Sequence, residues 1–205
     1  MRVRNLLAIS TVSILLISNV GTATADSAKP GQSMTHIKTA AGVASTLEAA
    51  GVILYVQGGA TSALIGENLS AETSQVVFHI PVTANKAGVQ HVGSNIIFFN
   101  TANNLYLNLK NPVIDLAKGV VSATVPLAGN MKVDILTITN ASTAKPKITN
   151  DKKTKQRTTV YRGTTLVLAP GIAAVISTGL GLPAGSLPDG MTFGTADVTL
   201  YSNLK

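Results

Sequence analysis

Apolar and polar residues alternate along much of this chain, and this pattern constrains the fold more than any other feature of the sequence. In the segment 75–82, Val76, Phe78 and Ile80 are separated by one residue each. Successive side chains of a β-strand point to opposite faces, so these three share one face and predict a strand with one buried side. The chain is therefore expected to bury its apolar residues against a sheet.

The same alternation, or a run rich in β-branched residues, predicts strands throughout the chain. The predicted strands cover residues 52–56, 75–82, 96–99, 105–109, 113–116, 120–125, 131–139, 160–168 and 195–201. Asn103-Asn104 lies between two of them and predicts a hairpin turn. In 105–109, the three leucines Leu105, Leu107 and Leu109 are expected to face one way.

Two segments have helical spacing instead. One runs from Thr39 to Gly51, and the other begins with Pro170 in its first turn and is terminated by Gly179 and Gly181. Each follows a strand end and a glycine, which suggests that the two helices close comparable ends of one sheet structure. We predict one mainly β domain over residues 37–205, an antiparallel β-sandwich or partly closed barrel with two short helices.

The N-terminus has the pattern of a secretory signal. Arg2 and Arg4 precede the apolar run 6–17, and Ala23-Thr24-Ala25 supplies the small residues that an export peptidase needs. We predict a signal peptide over residues 1–25, cleavage near Ala25-Asp26, and a flexible segment over residues 26–36. The apolar run is too short to span a membrane, and no later stretch is long enough either. The protein is therefore expected to be secreted, or held at the cell surface.

Cysteine is absent, which excludes disulfides, a thiolate zinc site and a cysteine nucleophile. The motifs of serine hydrolases, phosphate-binding loops and dinucleotide-binding sites are missing as well, and we predict that the chain is not an enzyme. Asp115, Asp134 and Asp197 lie on or beside predicted strands. A glycan hydrolase needs two carboxylates that lie close together, and two of these aspartates could meet in the fold. A glycan hydrolase is therefore the third alternative.

Positive charge is concentrated in one stretch, residues 145–162, which carries a net charge of +6. Its cations are Lys145, Lys147, Lys152, Lys153, Lys155, Arg157 and Arg162. Few apolar residues interrupt it, so residues 145–159 predict a solvated basic loop or a long hairpin tip. Two interpretations stay open: a loop that keeps the protein soluble, or a binding site for an anionic polymer such as teichoic acid, lipopolysaccharide, extracellular DNA or acidic polysaccharide. Tyr161 is its only aromatic residue, so base stacking and sequence-specific recognition of nucleic acid are not expected.

Several segments in the centre and at the end of the chain resemble a group of secreted bacterial domains. These are the segments 89–99, 105–109, 111–115, 120–125, 171–174 and 193–198. They look like the haem-transport-associated HtaA-type domains and related exported β-rich proteins. The resemblance implies a β-rich fold and, in haem-binding members, a tyrosine that ligates iron with a histidine that supports it. Tyr55 and His91 are the matching candidates.

The composition weakens the haem alternative, because a haem pocket needs large apolar walls and this chain has no Trp and only 4% aromatic residues. The other histidines do not predict a metal site. His36 is expected on the surface of the flexible entry segment and His79 on the outer face of its strand, and no His-x-His spacing occurs. No cofactor is predicted.

The leading hypothesis is thus a secreted, non-catalytic surface or extracellular-matrix module. It would act by adhesion to an anionic polymer or by self-assembly through strand edges. The alternative is an extracellular carrier of a ligand, with haem as the first candidate.

Overall fold

The computed structural model describes residues 32–204, in which twelve strands, two α-helices and one 3-10 helix are formed. The predicted signal peptide and its cleavage site lie outside these residues. The elements are β1 Met34–Thr39, α1 Val43–Ala49, β2 Val52–Gly58, β3 Thr61–Ile65, β4 Gln75–Pro81, β5 Val89–Gln90, β6 Ser94–Asn100, β7 Tyr106–Asp115, β8 Val120–Val125, the 3-10 helix Pro126–Ala128, β9 Met131–Ile138, β10 Lys147–Asp151, β11 Gln156–Leu168, α2 Ile172–Gly179 and β12 Thr192–Asn203.

All the strands belong to one antiparallel sheet that is almost closed on itself. Its main path runs β2-β6-β7-β8-β9-β11-β12-β1-β4-β3, and β10 and β5 pair with β11 and β7 beside this path. The two end strands, β2 and β3, are consecutive in the chain and close to each other. The prediction of a mainly β fold of the sandwich or barrel type with two helices is confirmed.

The predicted alternation corresponds to the observed burial. In β4 the side chains of Val76, Phe78 and Ile80 are buried, whereas their neighbours are only partly covered. Leu107 and Leu109 are buried in the same core. Leu105 was expected beside them but is 45% exposed, because β7 begins after it and the chain is still in the turn.

Residues 105–116 were predicted as two strands and form one. Strand β7 continues through Asn111 and Pro112, where its pairing with β8 shifts register between Lys110 and Val113. Asn111 has a φ of 50°, a left-handed conformation that asparagine tolerates better than most residues. The irregularity is therefore a β-bulge, one of the few places where a sheet accepts proline.

The first strand begins earlier in the chain than predicted. Strand β1 begins at Met34, inside the segment that was expected to be flexible up to residue 36, and it pairs with both β4 and β12. The short strands β3 and β5 were not predicted either. Strand β3 is mostly exposed and so lacks a buried alternation, and β5 is only two residues long, so a local pattern reveals neither.

The two predicted helices are present, although shorter than expected. Each begins directly after a glycine in the left-handed conformation, Gly42 with φ 82° and Gly171 with φ 77°. Pro170 was placed in the first turn of α2 but precedes Gly171, since the helix begins only at Ile172. Over residues 32–204, neither helix has the length and apolar character required to cross a membrane.

Candidate anionic-polymer interface

The basic stretch forms a β-hairpin. Strand β10 pairs with residues 156–160 of β11, and residues 152–155 form the turn between them. The predicted loop at 145–159 is thus the hairpin tip that the sequence also allowed. β-branched residues supply much of the pairing, with Ile148 opposite Thr159 and Thr149 opposite Thr158. Arg157 also donates a hydrogen bond across the two strands, from Nε to Oδ1 of Asn150 at 3.1 Å.

The single acidic residue of this hairpin stabilises its turn. Oδ1 of Asp151 accepts hydrogen bonds from the backbone N–H groups of Lys153 at 2.8 Å and Thr154 at 3.2 Å. The pKa of Asp151 is lowered, first by a hydrogen bond from the Thr154 side chain and then by these two backbone groups. Its carboxylate is therefore occupied by the turn and does not pair with the surrounding lysines.

All seven cations of the stretch are exposed to solvent. Among the residues that the structure describes, the only salt bridge joins Lys118 to Asp115, outside the hairpin. The hairpin thus presents Lys145, Lys147, Lys152, Lys153, Lys155, Arg157 and Arg162 without acidic partners.

The base of the hairpin is fixed to the barrel at a second bulge. The pairing of β11 with β12 shifts register between Tyr161 and Thr164. There the N–H of Gly163 donates to Oδ1 of Asp197 at 2.7 Å, and Nδ2 of Asn140 donates to the carbonyl oxygen of Gly163 at 2.9 Å. The cations consequently project from a defined position instead of from a loose loop.

His91 is buried in the structure, with 1% of its surface exposed. Its Nδ1 lies 2.9 Å from the carbonyl oxygen of Pro112, and its Nε2 lies 2.7 Å from the hydroxyl of Thr35. A carbonyl oxygen only accepts, so Nδ1 carries the proton and Nε2 accepts from Thr35. Burial lowers the pKa of His91, and the hydrogen bond to Pro112 opposes this only in part.

The predicted pairing of Tyr55 with His91 is not formed. Both ring nitrogens of His91 are used by Thr35 and Pro112, and Tyr55 lies on β2 opposite Ile97 of β6. The histidine that the resemblance assigned to the support of Tyr55 therefore bonds to Thr35 and Pro112 in this structure. Sequence reasoning had no means of locating Thr35, because the contact spans 56 residues of chain.

His36 and His79 are brought together, which the sequence did not predict. They are cross-strand partners in β1 and β4, with ring centroids 4.7 Å apart in an edge-to-face arrangement. They line a surface groove of about 250 Å³ with Lys38 and Asp197. Nowhere in residues 32–204 do three histidine or acidic side chains converge as a metal site requires.

The three aspartates of the hydrolase alternative lie apart. Asp115 is on β7, Asp134 on β9 and Asp197 on β12, and no two of these strands are neighbours in the sheet. Asp115 accepts from the backbone of Lys118, and Asp197 accepts from Gly163. Two of the three carboxylates thus accept hydrogen bonds from the backbone, and none of the three lies on a strand adjacent to another.

Comparison with known proteins found no matching protein family, no similar curated protein and no similar solved structure. The resemblance to haem-transport-associated domains therefore stays a prediction.

Proposed function

We propose that this chain is a secreted, non-catalytic surface or matrix module that binds anionic polymers through the hairpin of residues 145–162. The observation that carries the proposal is the set of seven exposed cations on one anchored hairpin whose only carboxylate is occupied by the turn. A cluster of one sign without counter-charges creates a local positive field that attracts polyanions.

The shape of the cluster favours a polymer over a small anion. The cations follow the two hairpin strands and their turn, and none of them lines a described cavity. Strands rise about 3.3 Å per residue, so the charges are spread along an extended surface. Such a surface contacts repeated charges along a chain, whereas a single small anion requires donors that converge.

The proposal is tested by measuring the affinity for a polyanion, such as polyphosphate, at several salt concentrations. In the test variant Lys152, Lys153 and Lys155 are all changed to Gln. The matched control changes Lys86, Lys118 and Lys132 to Gln, which removes the same charge elsewhere on the surface. For polyelectrolytes, each neutralised contact contributes roughly 0.7 to 0.9 to the slope of log affinity against log salt.

We expect the hairpin variant to reduce this slope by about 2 and the control to leave it nearly unchanged. An equal reduction of the slope in the two variants would mean that only net charge matters, and the hairpin would then have no special role. No measurable binding by the wild-type protein at low salt would reject the proposal.

A second candidate, self-association, is favoured by the edge strand β3. This strand ends the sheet path, and its sequence Thr61–Ile65 contains no charged residue and no proline. Leu64 and Ile65 are each 38% exposed. Natural edge strands usually carry charge or proline that prevents pairing with another chain, and β3 lacks both.

Light scattering over a range of concentrations tests this candidate. If β3 pairs with a second copy, Leu64→Lys should shift the protein towards the monomer, while Val92→Lys in an exposed turn should not. A wild-type protein that stays monomeric at high concentration would exclude self-association.

A further inference from the structure

An apolar cavity of about 130 Å³ lies beneath helix α2. Every residue that lines it is apolar, including Phe98, Leu107, Ile135, Leu168, Ile176 and Phe193. Native interiors contain few voids larger than a water molecule. An engineered cavity of about 150 Å³ with similar walls, in another protein, stays dry and binds benzene. This cavity therefore has the size and the lining of a binding site for a hydrocarbon group.

The cavity continues into an open groove at the surface. The groove, of about 360 Å³, shares Leu107, Val125, Ala128 and Val175 with the cavity. Its outer rim carries Leu127, which is 65% exposed, and Val175, which is 49% exposed. Exposed leucine and valine beside a buried apolar space provide a continuous apolar path from solvent into the core.

The chemistry of the walls selects the ligand. The cavity offers no hydrogen-bonding side chain, so a polar or charged group inside it would lose its water without compensation. It contains no tyrosine, histidine or methionine, so it offers no side chain that ligates haem iron. An inner space of about 130 Å³ that joins an open groove of about 360 Å³ matches a flexible chain, which extends through both, better than a rigid ring system.

We propose that the cavity and groove bind the alkyl chain of a single-chain amphiphile, such as a fatty acid. The methyl end occupies the cavity, the middle of the chain lies in the groove between α2 and the 3-10 helix, and the head group stays in solvent. This site is separate from the basic hairpin and does not depend on its function.

The test titrates the full chain with saturated fatty acids of increasing length, up to dodecanoate and below their micelle concentrations. Binding is followed by calorimetry and by NMR of isoleucine, leucine and valine methyl groups. We expect saturable binding with an affinity that rises about fourfold for each added methylene until the space is filled. The shifted methyl signals should be those of Leu107, Ile135 and Ile176, and not those of Ile37 and Leu47 on the other side of the core.

The key variant is Ala128→Leu, which places a larger apolar side chain where the groove meets the cavity. It should bind dodecanoate at least tenfold more weakly while keeping its melting temperature. Ala87→Leu adds the same side chain to an exposed loop and should bind like the wild type. All these proteins share the same N-terminal segment, so any binding by that segment cancels in the comparison. Should Ala128→Leu fold poorly, Val175→Gln at the exposed rim provides a second variant with the same expected loss.

The proposal is overturned if the binding of dodecanoate does not saturate, or if Ala128→Leu and Val175→Gln bind it as the wild type does. It is also overturned if the shifted methyl signals belong to residues outside the cavity and groove. Binding of benzene without binding of any fatty acid would also overturn it, since the cavity would then be closed to chains.

Discussion

The Nε2 atom of His91 accepts a hydrogen bond from the hydroxyl of Thr35 at 2.7 Å, and neither residue is accessible to solvent. This contact joins strand β1 to the turn before β6. In the neutral imidazole Nδ1 donates to Pro112 and Nε2 accepts from Thr35. Protonation of His91 would make Nε2 a second donor, so the Thr35 hydroxyl would have to accept instead of donate, and it would place a charge in the core.

The first prediction concerns pH. The pKa of His91 is lower in the folded state than its ordinary value of 6.5, so the unfolded chain binds more protons below that pH. The free energy of unfolding should therefore be greatest above pH 6.5 and fall as the pH is lowered below that value. Denaturant unfolding at several pH values measures this. In His91→Gln the fall should be smaller, whereas His79→Gln on the outer face should retain it. An unchanged pH dependence in His91→Gln would show that His91 does not cause the loss of stability at low pH.

The second prediction concerns Gly58, which has a φ of 78°. A Cβ at this position would overlap the carbonyl oxygen of Gly93, whereas a Cβ at Gly93, with a φ of 85°, would meet no atom within 4 Å. Gly93→Ala should cost about 1 kcal/mol, from its backbone conformation alone. Gly58→Ala should cost at least about 2 kcal/mol more, because β2 and the turn before β6 must separate. Thermal unfolding measures both, and equal losses would show that the close approach is not rigid.

The third prediction concerns the base of the basic hairpin. Asp197→Ala removes the acceptor for the N–H of Gly163, whereas Asp197→Asn keeps an oxygen in that position. We expect the first change to cost about 1 kcal/mol and to speed hydrogen exchange at Gly163 roughly fivefold. The asparagine variant should exchange nearly as the wild type does. If Gly163 exchanges at the wild-type rate in Asp197→Ala, the pairing of β11 with β12 alone holds the bulge.

The fourth prediction concerns the end of helix α2. Nδ2 of the buried Asn100 donates to the carbonyl oxygen of Leu180 at 2.8 Å, and the more exposed Asn103 donates to the same oxygen at 2.9 Å. Asn100→Ala should destabilise the fold by roughly 1–3 kcal/mol, because the buried Asn100 side chain donates to Leu180 and also accepts from the backbone N–H of Ala102. Asn103→Ala should cost less, since water replaces the lost partner. Chemical denaturation compares the two, and a larger loss in Asn103→Ala would contradict this ranking.

Much of the fold was predictable from local patterns. The alternation of Val76, Phe78 and Ile80 determined which face of β4 is buried, and Asn103-Asn104 determined the turn between β6 and β7. The seven cations were recognisable as one exposed cluster, because seven charges in 18 residues cannot be buried without partners. In each case the physical cause lies within a few residues of the chain, and a sequence displays it directly.

The tertiary structure alone decided the order of the strands, the position of β1 between β12 and β4, the burial of His91 against Thr35 and the apolar cavity beneath α2. Thr35 and His91 are 56 residues apart, and the cavity walls come from six strands, α2 and the 3-10 helix. Side-chain periodicity reports which face of a strand is apolar but not which strand lies beside it. Pairing and packing depend on the free energy of the whole assembled core, so these features arise only when the chain folds.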